Sequence, residues 1–351
     1  MNNSQLNSFF DLGHEQISIC HDPATGYRGI VAIHSTKLGP AVGGTRFWNY
    51  STTDEALTDA LRLSRGMTYK NAAAGLPLGG GKAVIIGDNR TTNGTGNREA
   101  LFRAHGRFIE SFNGRFITGE DVGTSPADME FAAKETRHVA GFAGRGGDPS
   151  PWTARGVLRG IQTSAKQRWG SDDLRGKTIA IQGCGNVGYP LAGLLKEAGA
   201  RLIVADADPI RAETCARDCG ATLVSPEEIY EVAADIFAPC AMGAVINDQT
   251  IPRFQAEIIA GAANNQLLEE RHAAQLEARG ILYAPDFILN AGGIISGGAY
   301  LLGESQRQLE QRIAGIYDTL LEVYDLASRE QLTTSAAAER FAEERLKKAT
   351  P

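Results

Sequence analysis

Thr178-Ile179-Ala180-Ile181-Gln182-Gly183-Cys184-Gly185-Asn186-Val187-Gly188 is the stretch on which the fold turns. Its first four residues are β-branched or small and apolar, and with Gln182 they read as a buried strand. Leu191, Leu194 and Leu195 follow at helical spacing, so the glycines lie between a strand and a helix. In that setting Gly183 permits a tight turn, Gly185 clears space for a pyrophosphate, and Gly188 lets helix and strand pack closely. Asn186 and Val187 bring the chain to a helix N-terminus whose positive potential suits phosphate. The next strand, 201–205, ends in Asp206, about 20 residues on, where a carboxylate can accept from a ribose 2′-OH. Asp208 adds negative charge, which repels a 2′-phosphate, so NAD is favoured over NADP as the cofactor.

Three further apolar runs, 235–240, 256–264 and 281–286, extend this into a doubly wound α/β sheet. Ligands of such sheets lie beyond the carboxyl ends of the strands. That rule nominates Cys240, Ala241, Asn264 and Asn290 as neighbours of the nicotinamide half. Either asparagine can equally be a loop residue bonding its own backbone.

Upstream, Gly144, Gly146 and Gly147 lead into Pro149-Ser150-Pro151, the clearest break in the chain. A domain boundary is expected there, with residues 1–148 before it and a dinucleotide-binding Rossmann domain over 149–328. A 351-residue chain is long enough for two cores. The first part alternates strands (16–21, 28–34, 115–118) with long helices. One helix follows the capping box Thr52-Thr53-Asp54-Glu55. It keeps Ala56, Ala60, Leu63 and Met67 at helical spacing and delivers Lys70 near its end. Residues 152–169 read as a further helix, and 305–348 as two amphipathic helices.

Lys70 and Lys82 bracket a run almost bare of other polar side chains, Asn71-Ala72-Ala73-Ala74-Gly75-Leu76-Pro77-Leu78-Gly79-Gly80-Gly81. It is not a phosphate-binding loop. Lys82 is followed by Ala83, Leu76 stands where the first glycine belongs, and the glycines precede a strand rather than a helix. Three consecutive glycines allow close backbone approach to a ligand. A poorly hydrated ammonium has its pKa drawn toward neutrality and can then act as a base. The competing reading has both lysines solvated at the surface.

A formal net charge of -6 gives no general attraction to nucleic acid or anionic membrane. No apolar stretch approaches the roughly 20 residues that cross a bilayer, and the start lacks a basic region followed by an apolar core. A cytoplasmic protein is expected. Five cysteines, Cys20, Cys184, Cys215, Cys219 and Cys240, are an odd number, which argues for reduced thiols. With no histidine near Cys215 and Cys219 in sequence, no metal site is expected.

Over nearly its whole length the chain resembles the amino-acid dehydrogenases that act on glutamate, leucine, phenylalanine or valine. The carrying motifs are Gly39-Pro40-Ala41-Val42-Gly43-Gly44-Thr45-Arg46, Gly66-Met67-Thr68-Tyr69-Lys70, Gly79-Gly80-Gly81-Lys82, Gly119-Glu120-Asp121-Val122-Gly123-Thr124, Pro149-Ser150-Pro151, Ala262-Ala263-Asn264-Asn265-Gln266 and Asn290-Ala291-Gly292-Gly293. The resemblance implies an N-terminal α/β substrate domain to which the C-terminal helices (about 329–351) return, a Rossmann domain, and a cleft between them. It implies NAD-dependent, reversible oxidative deamination of an L-amino acid to a 2-oxo acid and ammonia, in a homo-oligomer, dimer or octamer. By position, Lys70 resembles the lysine that binds the substrate carboxylate, with Gly43 and Gly44 offering backbone groups. Lys82 resembles the catalytic base, and Asp121 the carboxylate that handles protons at the amino group. Asn264 falls with the substrate-binding residues, and Thr153 and Asn290 resemble the groups that hold the nicotinamide carboxamide.

The same resemblance places Val42, Gly119, Ile294 and Gly297 around the substrate side chain. Leucine enzymes of the family tend to carry Ala and Val where Gly119 and Gly297 stand, and the trimming suits an aromatic substrate. The segments around Gly66 and Thr45 look closest to leucine enzymes, so leucine and phenylalanine both remain open. A glutamate-type enzyme needs a cation at the far end of the pocket, which these four residues do not offer. A binding protein that senses NAD without chemistry is the alternative from another class. Asp148 departs from the asparagine many relatives carry before Pro-Ser-Pro, and reads either as a cap or as a second carboxylate near the site.

Overall fold

The computed structural model describes residues 7, 9–88, 97–142 and 144–349. The chain divides into two compact units. One runs to Asp148 and takes in Tyr300–Gly303 and the chain from Ala342 on; the other holds Pro149–Ala299 and Glu304–Phe341.

The first unit is built on a five-stranded mixed sheet of β1 (Gln16–Asp22), β2 (Tyr27–Ser35), β3 (Ala41–Trp48), β4 (Gly79–Ile86) and β5 (Phe116–Glu120), in the order β1-β2-β4-β3-β5. β1 and β4 both run antiparallel to β2, while β4 and β5 run parallel to β3. Helix α1 (Thr53–Ala73) starts at Thr52, whose side chain accepts from the Glu55 backbone N–H. The period of two along β2 sends Ile30 and Ala32 toward Ala56, Leu57, Ala60 and Leu61 of α1. It sends Val31 and Ile33 the other way, to Ile109 of α2 (Asn97–Glu110), Phe112 and Phe116. Each large apolar side chain so buried contributes about 1.5–3 kcal/mol.

The second unit is a six-stranded, wholly parallel sheet that includes β8 (Thr222–Leu223), β10 (Ile258–Ile259) and β11 (Leu282–Tyr283), in the order β11-β10-β9-β6-β7-β8. At its centre β6 (Thr178–Gln182) lies between β7 (Arg201–Ala205) and β9 (Ile236–Pro239). α4 (Ser150–Trp169) packs closely because Gly160 has no side chain where Leu289 sits. α3 (Pro126–Ala132), in the first unit, precedes it in the chain, and α5 (Gly188–Glu197), α6 (Pro209–Cys219) and α7 (Arg271–Ala278) follow it.

Two expectations are corrected. The run 256–264 gives only a two-residue strand, β10 (Ile258–Ile259), and 281–286 gives β11 (Leu282–Tyr283). Pro239 lacks an N–H to continue the ladder, and Gly261 is pressed against it. Those runs are buried, which is why they read as strands. The C-terminal stretch is three helices rather than two: α10 (Gln306–Ala314), α11 (Ile316–Glu330) and α12 (Thr334–Lys348). Gly315 serves as both the end of α10 and the start of α11, and Gln331, at φ 55, ends α11. Helix α8 (Asp286–Leu289) and α9 (Gly292–Leu301) come before them.

Candidate active site

In the first unit the side chains of β3, β4 and the end of β5 converge. Lys82, in the middle of β4, is only 5% exposed, and its Nζ lies 2.9 Å from Asp121 Oδ2. A buried ammonium needs such a partner, since the unpaired charge is costly to desolvate. Arg46 of β3 reaches the same oxygen, Nε to Oδ2 at 3.0 Å. Burial pushes the Asp121 carboxyl up, but Lys82 and Arg46 together outweigh it and hold it down to about 2. Among the described residues no donor reaches Asp121 Oδ1. The carboxylate therefore has one oxygen saturated by cations and one left to accept from a ligand.

Behind Arg46 stands Asp59 of α1, which accepts from Arg46 Nη1 at 2.8 Å, Tyr50 Oη at 2.6 Å and Arg62 Nη2 at 2.9 Å. Lys70 lies in the last turn of the same helix, half-buried. Asp121 also begins a turn in which its N–H donates to Thr124 Oγ1, and that hydroxyl donates to Thr45 O. Arg98 of α2 steadies the loop by donating to Gly123 O and pairing with buried Asp128.

The triple glycine has a different purpose from the one its sequence suggested. Gly79, Gly80 and Gly81 belong to β4, inside the sheet. A Cβ at Gly79 would collide with Ser35 O, one at Gly80 with the Thr68 backbone, and one at Gly81 would lie 2.7 Å from the Phe116 ring. They admit protein neighbours, not a ligand. Gly43 and Gly44 are equally tight in β3: a Cβ at 43 collides with Gly81 O, and one at 44 would stand 2.8 Å from Asp121 Cβ. Gly44 thus lets Asp121 lean over β3 toward Lys82.

Val42 is buried, and a Cβ at Gly119 would meet Ala140 O at 3.3 Å. Next to them Glu120 is pushed up by burial first, then by the charges of Asp148 and Asp121. Asp148 stands one residue before Pro149, which occupies the N-cap position of α4. Its exposed carboxylate adds to the acidic set with Glu120 and Asp121.

In the second unit the glycine turn has the form its spacing implies. Gly183 adopts φ +101, which favours glycine, and packs against Ala241. Gly188 has no room for a side chain against Gly183 O, whereas a Cβ at Gly185 would meet only Arg211 Nη1, at 3.8 Å. Asp206 accepts from Cys184 N–H at 2.6 Å and from Asp208 N–H at 2.8 Å, locking the carboxylate beside the turn. Asn186 and Val187 complete the turn into α5.

Cys240 continues β9 by donating its N–H to Gln182 O, and burial pushes its thiol up to about 12. Asn290 donates from Nδ2 to Asn264 Oδ1 at 2.8 Å and to Ala262 O at 3.1 Å. Its own Oδ1 is buried and, among the described residues, meets no donor, an acceptor suited to the N–H₂ of a carboxamide. Thr153 Oγ1 donates to Pro149 O and lies beside Gly293. Ile294 and Gly297 are half-buried on α9. The space left open at Gly185 and the orphaned amide acceptor of Asn290 fit a dinucleotide with a nicotinamide end.

Sequence reasoning missed the roles of Arg46, Asp59 and Tyr50. Arg46 sat in a quoted motif, but its partners lie 13 and 75 positions away, a pairing no local pattern reveals. It missed also the buried chain in which His105 joins Tyr27 Oη at 2.8 Å to Thr45 Oγ1 at 2.7 Å. Among the described residues no cluster of three or more His, Cys, Asp or Glu could hold a metal, and no helix is long and apolar enough to cross a membrane.

Residues 14–138 match the family model of the Glu/Leu/Phe/Val dehydrogenase dimerisation domain, and 207–350 match that of the Glutamate/Leucine/Phenylalanine/Valine dehydrogenases. The chain is 51% identical over 336 residues to a leucine dehydrogenase of Thermoactinomyces intermedius, covering 95% of this chain and 91% of that one. It is 47% identical to a phenylalanine dehydrogenase of Caldalkalibacillus thermarum, over 95% and 92% of the two chains. The crystal structure of L-tryptophan dehydrogenase from Nostoc punctiforme superposes with a TM-score of 0.87 at 47% identity, covering 98% of each chain.

Proposed function

Because the chain belongs to the Glu/Leu/Phe/Val dehydrogenase family, we propose that it oxidises a hydrophobic L-amino acid to the 2-oxo acid and ammonia with NAD, reversibly. The observation that carries this reading is the buried Lys82–Asp121 pair, in which Lys82 and Arg46 both meet Asp121 Oδ2 and, among the described residues, no donor meets Oδ1.

Oxidation needs the substrate amine neutral, its α-hydrogen accepted as hydride, and water added to the resulting imine. Lys70 binds the substrate carboxylate, with the β3 backbone at Gly43 and Gly44 close by. Asp121 accepts the first proton of the substrate ammonium at Oδ1. Lys82 then takes a proton from the water that attacks the imine carbon. Asp121 returns a proton to the nitrogen and, again a carboxylate, takes the hydroxyl proton as the carbinolamine collapses to the ketone and ammonia leaves. When bound, the nicotinamide supplies the hydride acceptor; Thr153 and Asn290 hold its carboxamide, and Gly183, Gly185, Gly188 and Asp206 the rest of the dinucleotide.

Asp206 and Asp208 make the ribose end acidic, which supports NAD over NADP. For the side chain, Val42, Gly119, Ile294 and Gly297 supply apolar or absent side chains. Relatives named for leucine, phenylalanine and tryptophan agree with a hydrophobic substrate. We place the protein in the cytoplasm as a homo-oligomer. The test is NADH formation from NAD with a panel of L-amino acids compared by kcat/KM, repeated with Lys82→Ala. Turnover with a hydrophobic amino acid, lost in Lys82→Ala while NADH still binds, is expected. NAD binding without turnover across the panel would favour a sensing role.

A further inference from the structure

Resting on the reading of Asp121 as the group that handles the substrate's proton, we propose that Arg46, clamped by Asp59 and Tyr50, is the positioning residue for that carboxylate. It holds Oδ2 so that Oδ1 alone is presented to the amine.

The register of the sheet sets this up. β3 and β5 pair in parallel with Gly44 opposite Gly119 and Thr45 opposite Glu120. The next residues, Arg46 and Asp121, therefore come level as β5 ends. Thr45 points into the buried histidine network, so alternation sends Arg46 and Gly44 to the opposite face, where α1 lies. Gly44 leaves space for Asp121 Cβ, and Arg46 closes over the carboxylate from the side.

Arg46 has no freedom to move away. Its planar fork gives Nε to Asp121 and Nη1 to Asp59, and a carboxylate at each end leaves one orientation that satisfies both. Asp59 in turn has Tyr50 Oη on Oδ2 and Arg62 on Oδ1. Asp59 and Lys70 are both on α1, so one rigid helix sets the Arg46 clamp and carries the lysine assigned to the substrate carboxylate. The charged groups around Asp121 are Lys82 of β4, Arg46 of β3 and its neighbour Glu120, with Asp148 beyond Glu120 and Asp59 and Arg62 of α1 behind Arg46. Without Arg46, burial and Glu120 oppose ionisation of Asp121 with Lys82 as the remaining counter-charge. Protonation of Asp121 then moves to higher pH.

The experiment compares Arg46→Gln, Arg46→Lys, Asp59→Asn and Asp121→Asn with the parent enzyme. It reads kcat, KM for the amino acid, NADH binding by fluorescence, the pH profile of kcat/KM, and folding by circular dichroism. Arg46→Gln is expected to lose about a hundredfold in kcat, with KM and NADH affinity within about threefold, and its acid limb is expected to move up by about one pH unit. Arg46→Lys recovers less than a tenth of the activity, because an ammonium cannot bridge both carboxylates. Asp59→Asn shows a smaller loss with the limb displaced in the same direction. A folded Arg46→Gln whose acid limb stays with the parent, or an Arg46→Lys as fast as the parent, overturns the proposal. If Arg46→Gln does not fold, Asp59→Asn decides, and an unchanged kcat and limb there overturn it. Full activity in Asp121→Asn would instead remove the reading of Asp121 itself; loss there with Arg46 and Asp59 variants unaffected removes only the positioning role.

Discussion

Gly80 and the backbone nitrogen of Thr68 are so close that no side chain fits between them. The helix bearing Lys70 is thereby pressed onto the strand bearing Lys82. Gly80→Ala must push main chain against main chain, which cannot be relieved by rotating a side chain. We expect a stability loss of about 3 kcal/mol or more and a fall in activity. Gly66, also on α1, has nothing within 4 Å of an added Cβ. There Ala removes backbone entropy from the unfolded chain, and Gly66→Ala is expected to stabilise by about 0.5–1 kcal/mol. Denaturant unfolding of both variants checks the contrast, and equal effects would mean that the close approach is not what the glycine serves.

Acid sensitivity separates into two windows. Burial holds His105 down to about 3 and, with the charge of His14 adding to it, His34 down to about 4. Both are neutral in the folded protein while the unfolded chain protonates near 6.5. Their stabilisation is complete above pH 6.5 and is lost as pH falls toward 4 and 3. Each contributes a slope of about 1.4 kcal/mol per pH unit in that range. Asp121, also depressed, adds a loss of about 2 kcal/mol, confined to the interval from about 4 to 2. Chemical denaturation at fixed protein concentration between pH 7 and 4 is expected to show the histidine slope, and His105→Gln to lower it by about one proton. A slope unchanged in that variant would assign the titration elsewhere.

Much of this was legible because some signals are local. The turn at Gly183, Gly185 and Gly188 lies within one strand-turn-helix unit, and the geometry of those three positions follows from spacing alone. The Thr52 cap is likewise local, its side chain accepting from the Glu55 N–H, although Glu55 reaches back to the Ser51 N–H rather than to that of Thr52. What stayed hidden was long-range. Gly79, Gly80 and Gly81 read as a ligand loop because the sequence does not say that α1, β2 and Phe116 crowd against them. Arg46 carried no visible role because its two carboxylates come from α1 and the end of β5. The Gly315 break between α10 and α11 leaves the amphipathic period intact on both sides, so periodicity merges the two helices.

Arg98 and Asp128 form a buried bidentate pair, Nε and Nη2 each 2.7 Å from a carboxylate oxygen. Asp128 also accepts from Ser125 N–H to cap α3, and Arg98 Nη2 donates to Gly123 O in the loop after Asp121. Removing Asp128 takes a bidentate carboxylate from a largely buried guanidinium and the acceptor from the Ser125 cap, at about 3–5 kcal/mol. Asp128→Ala is expected to lower stability by that order and to reduce kcat through the 121–124 loop. An Arg98→Met, Asp128→Leu double variant, which removes both charges of the pair, recovers part of the stability but not the kcat. Melting curves and kinetics on the three proteins check this; full recovery of both would limit the pair to stability.

Gly297 tests the side-chain end of the substrate. It lies in the interior of α9, and a Cβ built there meets nothing within 4 Å. The helix can therefore accept valine at about 0.5–1 kcal/mol or less, the difference set by χ1 restriction against glycine's own entropy. Filling that space takes volume from whatever side chain occupies it. If Gly297 lines the substrate pocket, Gly297→Val lowers kcat/KM for phenylalanine and tryptophan relative to leucine by roughly 10- to 100-fold, the range that one or two apolar groups can discriminate. Gly119→Ala is the harder variant, because its Cβ meets Ala140 O at 3.3 Å and the strand must shift. A Gly297→Val protein with unaltered stability and an unaltered ratio of aromatic to leucine turnover would take Gly297 out of the pocket.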